Sequence, residues 1–180
     1  CKIFLKEITK FKRKKFTGKV IAVTGSVGKT STKEQLKFFL KFEMKSQASI
    51  KSYNNELGVS LSLCNLRLNS SVAIFEIGTN NFGEISSLVQ YVKPSITMIT
   101  NIQPTHLENF KTKKNVAIEK SDIFNPKYNS NINSVILSND TKEEKNLDKI
   151  AKKYKVKNVI KVSLILLQCL IFPIKILCML

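Results

Sequence analysis

At 180 residues the chain is long enough for one hydrophobic core and too short for several. A hydrophobic share of 43% and a mean hydropathy near zero exclude the disordered and membrane-embedded classes. The formal net charge of +17 is carried almost wholly by lysine, with no arginine cluster or nucleic-acid recognition motif, so nucleic acid is not an expected partner. Cys1, Cys64, Cys169 and Cys178 have neither metal-site spacing nor the density of a disulfide framework, which leaves reduced thiols in a cytosolic setting.

Residues 1–17 are basic and amphipathic, with Ile3, Phe4, Leu5, Ile8 and Phe11 among lysines. They read as the last helix of a preceding domain and a linker, with a membrane-surface helix as the alternative. Residue 1 is not Met, and the chain reads as a piece of a longer protein. The β-branched run Val20–Thr24 predicts a buried strand. Thr24-Gly25-Ser26-Val27-Gly28-Lys29-Thr30-Ser31 follows, and Lys29 opens a segment of helical periodicity. Strand, glycine turn and helix start make a phosphate cradle. The helix N-terminus offers free N–H groups, and glycine lets backbone approach an anion. Lys29 can reach the β and γ phosphates, and the Thr30 hydroxyl can ligate Mg²⁺. The general P-loop pattern wants a further glycine where Val23 stands, so this is a shorter form.

Residues 30–43 predict an amphipathic helix, with Leu36, Phe39, Leu40 and Phe42 set against Lys33, Lys37 and Lys41. Ala48–Lys51 predicts a second strand, and the polar loop from Ser52 enters a helix that runs to about Leu66. Further strands are expected at Val72–Ile77, Ile96–Ile102, Ser134–Leu137 and Val156–Val162. Helices are expected at Glu84–Tyr91, Thr105–Phe110, Lys113–Phe124 and Lys142–Tyr154. The alternation predicts an α/β fold with a mostly parallel sheet flanked by helices. Thr24, Glu76, Asn101 and Asn139 each stand at or just after a strand end, the edge where such sheets bind ligands. From Ser163 the chain is almost wholly apolar, but Pro173 and Lys175 interrupt it and it is short for a membrane span. Residues 163–180 therefore read as an atypical tail, from a shifted frame or a truncated product, with a membrane anchor as the alternative.

T-G-S-V-G-K-T-S, S-Y-N-N-E-L-G-V, F-E-I-G-T-N-N-F-G-E-I, T-N-I-Q-P-T-H-L-E-N-F and A-I-E-K-S-D-I-F occur in that order. Together they resemble the central ATPase domain of the Mur ligases, over roughly residues 17–160. Within the family they are most similar to the MurF type, which adds D-alanyl-D-alanine to UDP-N-acetylmuramoyl-tripeptide through an acyl phosphate. The resemblance implies residues 18–162 as a central ATP-binding domain, with the C-terminal ligase domain absent. It also implies ATP and Mg²⁺ as cofactors, a cytoplasmic monomer, and a fragment inactive by itself.

Residue roles carry over the same way. The loop from Thr24 to Ser31, with Lys29, would bind phosphates, and Thr30 and Glu76 would hold Mg²⁺. His106 matches the family histidine that helps hold a second Mg²⁺. Asn54 and Asn55 match an asparagine pair between the γ-phosphate and the acceptor, and Asn is also a good helix N-cap. Lys120 aligns with the lysine that is carbamylated in the family. Asn139 and Asp140 match the place where adenine is read, and an Asx-capped turn would explain them equally. The alternatives are another ligase of the superfamily such as folylpolyglutamate synthase, a non-catalytic ATP-binding module, or a basic nucleic-acid or membrane-surface protein.

Overall fold

A strand buried on both faces reads as an unbroken apolar run, and Val20–Val23 is such a run at the middle of the sheet. The computed structural model describes residues 2–138 and 142–162. The order is α1 (Lys2–Lys15), β1 (Lys19–Thr24), α2 (Lys29–Glu43), β2 (Ser46–Ala48), α3 (Glu56–Cys64), β3 (Val72–Glu76) and α4 (Glu84–Val92). It continues with β4 (Ile96–Ile99), α5 (Leu107–Phe110), α6 (Lys113–Ser121), a 3-10 turn (Asp122–Phe124), β5 (Ser134–Ser138), α7 (Lys142–Lys153) and β6 (Asn158–Val162).

Among the described residues six strands form one parallel sheet in the order β2-β3-β1-β4-β5-β6. β1 sits between β3 and β4, with Val23 in register with Glu76 and Thr24 with Ile99. The chain leaves β1 toward one side of the sheet and later returns to its other side. That is a switch point, and the crevice it opens lies beyond the C-terminal ends of β1, β3 and β4. The expected mostly parallel α/β fold is the observed one.

Both faces of the sheet are covered by apolar side chains. On one face, Leu63 of α3, Ile85 and Val89 of α4, Val116 of α6 and Leu147 of α7 close over alternate strand residues. On the other, Leu36 and Leu40 of α2 close over Ile21, Val23, Val72 and Ile74. α1 lies against α3 and α4. Arg13 ties it there, donating to the carbonyls of Val92 (2.6 Å) and Lys93 (2.7 Å) at the end of α4.

Three local expectations change. β2 is Ser46–Ala48, earlier than the predicted Ala48–Lys51, because Lys51 takes a left-handed turn at φ 46° and leaves Ile50 half exposed. β4 ends at Ile99, since the following residues turn to the loop after β1. On α2, Lys33 is fully buried while Phe42 is 67% exposed, the reverse of their predicted faces. Among the described residues no helix is long and apolar enough to cross a membrane. The tail from Ser163 lies outside the described residues.

Candidate functional site

The turn after β1 folds as it does because of two glycines. A Cβ on Gly25 would stand 1.9 Å from Thr100 Oγ1, so only glycine fits beside β4. Gly28, at φ 83°, turns the chain into the first residue of α2 without a side-chain cap. The N-terminus of α2 therefore opens onto the crevice with its amides uncapped by any side chain.

The segment after β4 braces this loop from the side. Ser26 N–H donates to the Asn101 carbonyl (3.1 Å), and Val27 N–H donates to Asn101 Oδ1 (3.0 Å). Thr100 Oγ1 donates to the Val27 carbonyl at 2.6 Å. Ser26 Oγ donates to the Gln103 carbonyl (3.1 Å) and accepts from Gln103 N–H (2.9 Å). Lys29 curls back over the loop, donating to the carbonyls of Gly25 (2.9 Å) and Ser26 (3.1 Å). Burial pushes its pKa down, and nearby Glu76 opposes the shift.

Opposite the loop stands the Glu76 carboxylate at the end of β3, 1% exposed. Its Oε2 accepts from Thr30 Oγ1 at 2.8 Å and its Oε1 from Asn54 Nδ2 at 2.8 Å. Thr30 Oγ1 is also 3.1 Å from Ser52 Oγ. Ser26 to Ser31, Ser52, Asn54 and Glu76 line a cleft of about 350 Å³. Thr30 and Glu76 are hard oxygen donors side by side at the mouth of a phosphate cradle, and that donor set fits Mg²⁺.

Lys120 of α6 is 3% exposed. Burial and, after it, neighbouring Lys29 lower its pKa to about 7 against the opposing pull of Glu119. Glu119 is itself buried, accepting from Gly83 N–H (2.9 Å), Ile85 N–H (3.0 Å) and Thr79 Oγ1 (3.3 Å), and burial raises its pKa. It thereby ties the start of α4 to the helix that carries Lys120. A second cavity of about 600 Å³ opens beside the cleft, with Leu5, Asn55, Leu57, Asn80, Phe82 and Leu88 in its wall.

The predicted residues thus separate. Ser26, Val27, Gly28, Lys29, Thr30, Ser31, Asn54 and Glu76 share one cleft. Thr24 is fully buried at its base, its hydroxyl without a hydrogen-bond partner. Asn55 turns away: its Oδ1 accepts from Gly58 N–H (2.9 Å), so it caps α3 and borders the second cavity. His106 precedes α5 in a left-handed conformation and lies 3.6 Å from Glu108, half exposed. Among the described residues no three His, Cys, Asp or Glu side chains gather into a metal cluster. Asn139 and Asp140 lie outside the described residues. Sequence reading missed Lys33, whose Nζ is 3.8 Å from Glu76 Oε2. The signal was present, since Lys33 lies three residues before Leu36 and seven before Leu40, on the buried stripe of α2.

Three comparisons bear on this arrangement. The Mur ligase middle domain family matches residues 23–165. The UDP-N-acetylmuramoyl-tripeptide--D-alanyl-D-alanine ligase of Rickettsia prowazekii is 46% identical over 120 residues, 67% of this chain and 27% of that protein. MurF from Acinetobacter baumannii superposes with a TM-score of 0.77 at 29% identity, over 89% of this chain and 34% of that one. MurF from Thermotoga maritima in complex with ADP superposes with a TM-score of 0.74 at 26% identity, over 88% of this chain and 36% of that one. The match to the curated relative thus spans about a quarter of its length.

Proposed function

The chain belongs to the Mur ligase family, whose middle domain it carries, and on that premise we propose that it is the ATP-binding part of a MurF-type ligase. The proposed reaction has two steps. The γ-phosphoryl group of ATP passes to the carboxylate of UDP-N-acetylmuramoyl-tripeptide, leaving ADP and an acyl phosphate. The amine of D-alanyl-D-alanine then attacks the acyl carbon, loses a proton and expels phosphate.

The observation that carries this reading is the Thr30–Glu76 pair, 2.8 Å apart, facing a glycine loop that already holds Lys29. In this reading the free amides at the start of α2 take phosphate oxygens. Lys29 gives up the Gly25 and Ser26 carbonyls for the β and γ phosphates. The loop is braced by Thr100 and Asn101 before nucleotide arrives, so little ordering is left to do on binding. Thr30 and Glu76 would hold Mg²⁺, which supplies positive charge to the transferring phosphoryl oxygens. Asn54 orients Glu76 from the far side. Lys120, buried near Lys29 with a pKa of about 7, has a substantial neutral fraction at neutral pH, the form competent to be carbamylated, and in this reading His106 would help it hold a second Mg²⁺. The larger cavity, beside Asn55, is the place for the acceptor peptide.

The same reading makes the chain a cytoplasmic monomer that binds Mg²⁺·ATP. In this reading it forms no peptide bond by itself, because its match covers only 27% of the length of the Rickettsia prowazekii relative. Residues 1–17 are then the end of a preceding domain, and residues 18–162 the ATP-binding one. The test is calorimetry of Mg²⁺·ATP binding to the chain and to Lys29→Ala. The variant should fold and lose most binding, whereas unchanged affinity in a folded variant refutes the phosphate-loop assignment.

A further inference from the structure

A lysine with no exposed surface needs compensation, because an ammonium taken from water into protein is costly unless it is paired and hydrogen-bonded. Lys33 is 0% exposed, on the inner face of α2, one turn after Lys29. Its Nζ meets three groups. It donates to the Lys51 carbonyl, it lies 3.1 Å from Glu34 Oε1, and it lies 3.8 Å from Glu76 Oε2. Glu34 is 49% exposed, so water competes for it, but Glu76 is 1% exposed and among the described residues has no other cation within ion-pair distance.

We propose that Lys33 is a tethered counter-cation for Glu76, facing the carboxylate from inside α2 and keeping it aimed at the phosphate loop before any divalent cation binds. The proposal rests on the reading that Thr30 and Glu76 are the Mg²⁺ site. Without Lys33, Glu76 would be a buried carboxylate hydrogen-bonded by the neutral donors Thr30 Oγ1 and Asn54 Nδ2, with Lys29 attracting it only from beyond ion-pair distance. With it, the carboxylate has charge compensation on the α2 side and still presents Oε2 toward Thr30. The Lys51 carbonyl adds a second function. Lys51 is in the left-handed region, at φ 46°, and the chain from it leads directly to Ser52 and Asn54, which line the cleft. Lys33 therefore holds that turn and the carboxylate through one group, as a positioning residue that touches neither nucleotide nor acceptor.

A thermal-unfolding cycle on the 180-residue chain tests this, using Lys33→Met, Glu76→Gln and the double variant, each in chelator and in millimolar Mg²⁺ without nucleotide. Lys33→Met should lose about 10 °C in chelator. Less than half that loss should remain when it is made in the Glu76→Gln background. Mg²⁺ alone should raise the melting temperature of Lys33→Met more than that of the parent, because the vacated charge leaves Glu76 freer to take a cation. Equal losses in both backgrounds overturn the proposal, as does coupling to Glu34→Gln with none to Glu76→Gln. If Lys33→Met does not fold, a folded double variant supports the proposal and an unfolded one overturns it. Failure of the metal reading looks different. The parent would then show the Lys33–Glu76 coupling in chelator, yet no Mg²⁺·ATP binding by calorimetry.

Discussion

Lys120 makes the stability of the chain depend on pH in a direction that can be calculated. Its pKa in the folded chain is about 7, against an ordinary 10.5, so between those values the unfolded chain holds a proton that the folded chain does not. Stability rises with pH wherever the unfolded state binds more protons. The penalty from Lys120 is thus fully present below pH 7, fades as the pH rises, and is gone above about 10.5. Its size is the difference of 10.5 and 7 multiplied by 1.36 kcal/mol per unit, or about 5 kcal/mol. Lys120→Met keeps the length of the side chain and removes the charge. In urea unfolding at pH 6 the variant should be more stable than the parent by several kcal/mol, and the gap should close by pH 10. Bicarbonate-free buffer keeps carbamylation out of the measurement. A gap that is flat with pH would refute the claim that burial lowers the pKa of Lys120. The same shift leaves about half of Lys120 unprotonated at pH 7.

Gly25→Ala should fold poorly or melt well below the parent by circular dichroism, since at φ 148° its Cβ would fall 1.9 Å from Thr100 Oγ1 and 3.1 Å from the Thr100 backbone nitrogen; a parent-like melting temperature would refute the close packing of the loop on that residue. Asn55→Ala should cost about 1 kcal/mol in urea unfolding through loss of the α3 cap and leave Mg²⁺·ATP affinity nearly intact. Asn54→Ala should instead weaken Mg²⁺·ATP binding, read by calorimetry, because it releases Glu76 Oε1. Phosphate release from the chain given ATP, UDP-N-acetylmuramoyl-tripeptide and D-alanyl-D-alanine should not depend on the two acceptors. Turnover that needs both, at roughly 1 per second or more, would refute the reading that more protein is required.

The elements legible in the sequence are those whose cause is local. β1, β3, β4 and β5 are short β-branched or apolar runs ended by polar residues, and a strand buried on both faces needs no other signal. The phosphate loop is likewise local: two glycines, a lysine and a hydroxyl in one turn, with Glu76 legible as the polar end of the next apolar strand but one. The family resemblance rests on the same short motifs, and residues 23–165 match it.

Tertiary structure alone decided where charge could be buried. Lys33 and Lys37 are both lysines on one helix, yet Lys33 is sealed beneath the Lys51 turn with a carboxylate in reach while Lys37 is exposed. Asn54 and Asn55 are adjacent and identical in chemistry; one orients Glu76 and the other caps α3, because backbone direction at the helix start sends their side chains apart. Asn101 braces two loop amides only because β4 pairs with β1 in a register that brings it alongside Ser26 and Val27. Lys120 is an ordinary helix lysine until α6 packs it near Lys29. A residue's propensity and its place on a helix or strand follow from its chain neighbours, and the sequence displays them. The energy of a buried polar group follows from partners that only folding brings near, which a linear reading cannot supply.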